Sequence, residues 1–216
     1  MLVTLPACRS TAWEENMEAG YWAYQDGRSA DAEELFLAAL QQAERFGPED
    51  PRLATTLDNL ADLFHTQGRD AESERLYQRA LRSAEEAVGP EHPRVARILN
   101  HLAGLYFDQD GYTEAEPLYH RALAIFETAR GPDHPDVGQS LAGLAALYHL
   151  QDRYAEAEPL YQRLLALLEE ALGPDHPDVA ATLEEYAGLL RATGREAQAA
   201  ENEARARAIH ARIAAG

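Results

Sequence analysis

Three histidines recur at one spacing. His92, His134 and His176 each stand in a Gly-Pro-acid-His-Pro phrase, 42 residues apart. Evenly spaced imidazoles could suit a metal ion. A zinc–nitrogen bond is only ~2 Å long, however, whereas packed helices lie ~8–10 Å apart. Equivalent residues of successive helix pairs therefore cannot share one ion. In the earlier copy, Gly47-Pro48-Glu49-Asp50-Pro51, an aspartate takes the histidine's place. Aspartate is a favoured helix N-cap, and an imidazole acceptor before proline can serve the same end, so the phrase is expected to be punctuation. The acid pairs Glu169-Glu170 and Glu184-Glu185 could suggest acid–base chemistry. Adjacent residues on a helix point apart, and no nucleophile accompanies them. All 19 basic residues are arginine, which excludes a P-loop lysine and a Schiff base. No G-x-G-x-x-G, H-E-x-x-H, C-x-x-C or G-x-S-x-G pattern occurs. The expectation is a non-enzymatic chain with no cofactor, no metal and no catalytic residue.

The single cysteine, Cys8, rules out an internal disulfide and a cysteine zinc site. Its context, Leu5-Pro6-Ala7-Cys8 after an apolar start, is similar to a bacterial lipobox. The stretch lacks a basic n-region and is shorter than a usual h-region. Two readings stay open: lipidation at Cys8 with an envelope location, or an ordinary N-terminal tail over residues 1–11 of a cytoplasmic protein. The formal net charge of -18 disfavours nucleic acid and anionic membranes. A membrane would be reached only through a lipid on Cys8.

The elements that carry these residues follow from the same 42-residue period, which marks a stacked repeat. In one copy Leu99, Leu102, Ala103 and Tyr106 fall at helical spacing. Asp110-Gly111 breaks the pattern, and Ala115, Leu118, Tyr119, Ala122 and Leu123 form a second stripe. Each copy is thus helix, tight turn, helix. Five copies are expected, at about 12–46, 47–88, 89–130, 131–172 and 173–213, within one repeat domain spanning 12–213. Thr113-x-x-Glu116 predicts a capping box for its second helix. Pro117 would then fall in the first turn, and an earlier start predicts a kink. Tyr77, Tyr119 and Tyr161 read as packing residues. The polar last helix reads as a cap.

Leu-x-x-Leu-Ala-x-x-Tyr followed by Ala-x-x-x-Tyr-x-x-Ala resembles the tetratricopeptide repeat. The 42-residue period, with Leu99-Asn100-His101-Leu102-Ala103 and Glu114-Ala115-Glu116-Pro117-Leu118-Tyr119, is similar to the kinesin-light-chain type. The resemblance implies an all-α fold, an α-solenoid of about five helix-turn-helix units (about ten helices) in a right-handed superhelix. It also implies a concave groove lined by first helices, binding a protein or peptide segment. Carried over by position, the groove residues are Tyr21, Tyr24, Asp58, Asn59, Asp62, His65, Arg97, Asn100, His101, Phe107, His149 and Glu184. Asp58 and Asp62 stand where carboxylate-clamping members carry cations, so a partner segment with Arg or Lys is expected. The alternatives are self-assembly through the aromatic first repeat (Trp13, Tyr21, Trp22, Tyr24), a cytoplasmic adaptor or regulatory module, and an envelope-anchored assembly factor.

Overall fold

The computed structural model describes residues 12–215. Among them are ten α-helices and no strand: α1 (Ala12–Gln25), α2 (Ser29–Phe46), α3 (Pro51–Thr66), α4 (Asp70–Val88), α5 (Pro93–Asp108), α6 (Tyr112–Arg130), α7 (Gly138–Leu150), α8 (Tyr154–Leu172), α9 (Pro177–Ala192) and α10 (Glu196–Ala215). The chain divides into two compact units, Met1–Leu105 and Tyr106–Gly216. In the first, α1, α2, α3 and α4 pack in succession. In the second, α6 to α10 do the same.

The repeated phrase builds each first-helix start. Gly89 takes φ +89°, a left-handed conformation that ends α4. Pro93 then opens α5, where a missing N–H costs little. The residue before that proline caps the helix, as its spacing predicts. Asp50 Oδ1 accepts the Arg52 N–H at 3.0 Å. His92, His134 and His176 accept through Nδ1 from the backbone of Arg94, Asp136 and Asp178 at 3.1, 3.1 and 3.2 Å. Each capping Nδ1 is therefore an unprotonated acceptor. The copy at Pro135 differs, because Pro135–Val137 is a 3-10 turn leading into α7. Gly138 stands there where the other copies have Ala54, Ala96 and Ala180, and glycine is a poor helix former.

Second helices begin earlier than the capping box predicts. α6 starts at Tyr112 behind Gly111, with no side-chain cap, so Pro117 lies inside the helix. Glu116 is bonded elsewhere. It accepts from Arg153 at 2.9 Å and from Tyr148 Oη at 2.9 Å. The same staple recurs as Arg69 to Glu33 at 2.8 Å and Arg195 to Glu158 at 2.6 Å. Each arginine precedes a second helix and reaches back to the second helix of the repeat before it. Arg69 and Arg153 also lie on the rings of Phe64 and Tyr148, at 3.6 and 4.0 Å.

Apolar faces supply the packing. Tyr77, Tyr119 and Tyr161 are buried, as are Phe36, Leu60 and Leu63 around α2 and α3 and Val179, Leu183 and Ile209 around α9 and α10. Each such aliphatic side chain contributes roughly 1.5–3 kcal/mol of burial. α10 buries Ala199, Ala206 and Ile209 and leaves most of its surface to solvent. Among the described residues no helix is long and apolar enough to cross a membrane.

Candidate functional site

The first helices α3, α5, α7 and α9 carry most of the expected binding residues. Aligning them by the repeat places Asp58, Asn100, Ala142 and Glu184 at one position. Asn59, His101, Gly143 and Glu185 share the next, and Thr55, Arg97, Gln139 and Ala181 share a third. The second of these positions meets the tyrosine of the preceding repeat. His101 lies edge-on to Tyr77, with ring centroids 6.1 Å apart. Gly143 leaves room for Tyr119, whose Cζ would sit 2.4 Å from an added Cβ. Glu185 accepts a bond from Tyr161.

Between α3 and α5 this arrangement makes a closed polar seam. Asp58 is fully buried, and its Oδ1 lies 2.9 Å from His101 Nδ1. Its Oδ2 faces Arg97 at 3.2 Å as an ion pair without hydrogen-bond alignment. His101 Nδ1 is also 3.4 Å from Asp62, which accepts from the Tyr77 hydroxyl. Burial pulls His101 down, but the Asp58 bond and the charges of Asp58 and Asp62 outweigh it, so its pKa is raised. Burial is also the main cause that raises Asp62. The ligating atoms of Asp58, Asp62 and His101 lie within 4.8 Å of one another, close enough for a small cation. Arg97 and the His101 proton already balance the two carboxylates, and two carboxylates beside a guanidinium form a poor cation site. The acidic floor expected for a basic partner is thus turned inward.

The other expected groove residues are spread out. Asn100 is buried, while Asn59 is half-buried. His65 pairs with Asp70 at 2.9 Å. Phe107 lies edge-on to Tyr112, and His149 edge-on to Tyr154 and Tyr161. Burial lowers the pKa of His149. Glu184 is exposed beside His210 at 3.3 Å. Of the first-repeat aromatics, Tyr24 packs against the Phe36 cluster. Trp13 donates to Thr56 Oγ1 at 2.9 Å. Tyr21 and Trp22 are 50% and 57% exposed. Cys8 lies outside the described residues.

The corresponding place between α7 and α9 is open. Ala142 replaces Asp58, Ala181 replaces Arg97 and Glu185 replaces His101. A groove of about 440 Å³ results, with Leu164, Leu167 and Leu168 of α8 in its lining. Gly138 also lines it, and an added Cβ there would approach Leu167 Cδ2 to 3.2 Å. The sequence placed a groove along the first helices, Gln139 and Ala142 among its residues, but did not single out the α8 leucines that line this one. Its signal was the alanines at two positions where other copies are polar.

A helix-turn-helix stack with buried interlocking tyrosines and helix-capping Pro phrases matches one family throughout. The tetratricopeptide-repeat family model covers residues 11–86, 59–109, 94–170 and 140–212. The chain belongs to the tetratricopeptide-repeat family. No curated protein matches it in sequence. Among solved structures it is similar to BtubC (BKLC) from P. vanneervenii, with 25% identity and a TM-score of 0.83 over 93% of this chain and 80% of that one. A putative kinesin light chain from Podosopora anserina gives 24% identity and a TM-score of 0.78, over 96% of this chain and 100% of that one. PilF of Pseudomonas aeruginosa gives 21% and 0.66, over 88% and 73%. The last two likenesses are to the fold. Tetratricopeptide-repeat proteins are generally protein–protein interaction scaffolds and are typically non-enzymatic.

Proposed function

We propose that this tetratricopeptide-repeat protein is a non-enzymatic scaffold that binds a segment of a partner protein in the groove bounded by α7, α8 and α9. The supporting observation is the groove itself, an apolar concavity on a strongly acidic chain. Such sites bury a ligand's apolar groups and orient it with a few polar ones. The acid–histidine pairs that could do chemistry are engaged in caps and ion pairs instead. A photoreactive phenylalanine analogue at Ala181, in cells that make the protein, tests this reading. A discrete cross-linked partner is expected from Ala181 and not from Ala204 on α10. No adduct from any groove position would overturn it.

Self-association is the second reading, favoured by the exposed Tyr21 and Trp22 on α1. Aromatic side chains are enriched at interfaces. Light scattering decides it: a monomer at high concentration rejects it, and a dimer dispersed by Trp22→Ala supports it. Envelope anchoring as an assembly factor rests on Cys8 alone. Incorporation of a palmitate analogue, lost in Cys8→Ser, would support it. An unlabelled chain would favour the cytoplasmic adaptor.

A further inference from the structure

We infer that the α7–α9 groove selects a partner segment carrying a large apolar side chain close to an arginine or lysine, with the apolar group on the α8 leucines and the cation on Glu185. This rests on the scaffold reading above and specifies its ligand.

Three observations carry the inference. The first is shape and lining. Ala142 and Ala181 are too small to fill the space between their helices, and Leu164, Leu167 and Leu168 face into it. An aliphatic or aromatic side chain there would replace water against hydrocarbon.

The second observation is an unmet charge. At the equivalent position His101 is satisfied by two aspartates, and Gly143 carries no charge. Glu185 stands on the groove wall with a bond from the Tyr161 hydroxyl, and no arginine or histidine is among the residues that line the groove. Loss of water at the groove wall raises its pKa, and the tyrosine bond offsets only part of that. A carboxylate so placed gains most from a positive group that arrives with the ligand.

The third observation is the remaining charge at the rim. Asp178, also on the groove wall, is acidic, and no arginine lines the groove. An acidic segment would therefore meet repulsion with no compensating cation.

The test uses the full chain and a phage-displayed random dodecapeptide library. The dominant selected sequence is then synthesised with a fluorophore and titrated by anisotropy. Selected peptides should share a large apolar residue near Arg or Lys. The synthetic peptide should bind Ala181→Trp at least about tenfold more weakly, since the indole occupies the groove. Glu185→Gln should weaken it about threefold, as for a partly solvated ion pair. Panning on Glu185→Gln should keep the apolar residue and lose the cationic preference. Ala181 and Glu185 both lie on the accessible groove wall and outside the packed core, and circular dichroism checks that each variant folds as wild type does. Peptides without a cation, or binding that Glu185→Gln leaves unchanged, would overturn the inference. A cross-linked partner from Ala181 would then still uphold the scaffold reading. Failure to select any peptide overturns the inference as well. Loss of the Ala181 cross-link in addition brings down both.

Discussion

The seam between α3 and α5 and the seam between α7 and α9 are built on the same repeat positions, yet one is closed and the other open. In the first, Asp58, Arg97 and His101 fill the space with two opposed charges on each side of the balance, Asp62 included. In the second, Ala142, Ala181 and Glu185 stand at those positions and leave about 440 Å³ of groove. One register of the repeat thus serves internal cohesion in one place and leaves an open groove in another. Side-chain size at two positions makes the difference. The polar seam adds little net stability over an apolar filling, because burying charges costs about as much as their pairing returns.

Breaking the closed seam should have the largest effect. His101→Ala removes one of the two cations facing the buried Asp58. A loss of about 3–5 kcal/mol is expected in urea unfolding, the usual result of breaking a buried pair. Glu185→Ala in the open seam should leave the unfolding midpoint unchanged. Next is Gly143→Ala, where the new methyl would meet the Tyr119 ring. Overpacking of this kind costs about 1–3 kcal/mol, measured by the same unfolding curve. Smaller again are the caps. His134→Ala and His176→Ala should each cost about 1 kcal/mol, and His→Asp should restore it, as Asp50 already does in its own copy.

The smallest effect is the pH slope, and its sign differs between two histidines. His101 has a raised value in the folded chain. It contributes stability in full below the unfolded value of about 6.5, and that stability is lost as pH rises through the folded one. His149 is lowered by burial. It costs nothing above the unfolded value and destabilises the fold as pH falls toward its folded one. Melting curves between pH 5 and 8 should therefore change in opposite directions for His101→Ala and His149→Ala.

The architecture was legible because period, punctuation and small residues all lie along the chain. The Pro-flanked Asp50 and its histidine counterparts could be read as caps from local chemistry alone. The fate of Asp58 could not, because its partner His101 is 43 residues away on another first helix. A position on a helix face does not reveal whether the next repeat offers a cation there. The arginine staples escaped for the same reason, although Arg69, Arg153 and Arg195 all precede second helices. Gly111 stands at that place in the third copy, which hid the recurrence. Pro117 misled in the other direction. The Thr113-x-x-Glu116 capping box placed it in the first turn of a late-starting helix, whereas Glu116 is drawn away to Arg153 and Tyr148.

The most direct test grafts one seam onto the other. Ala142→Asp, Ala181→Arg and Glu185→His together rebuild the α3–α5 set between α7 and α9. Anisotropy titration of the peptide selected on the wild-type chain should show binding reduced by at least about tenfold, with helicity and melting temperature retained. Full-strength binding by the folded triple variant would contradict the claim that the open α7–α9 seam is where this protein meets its partner.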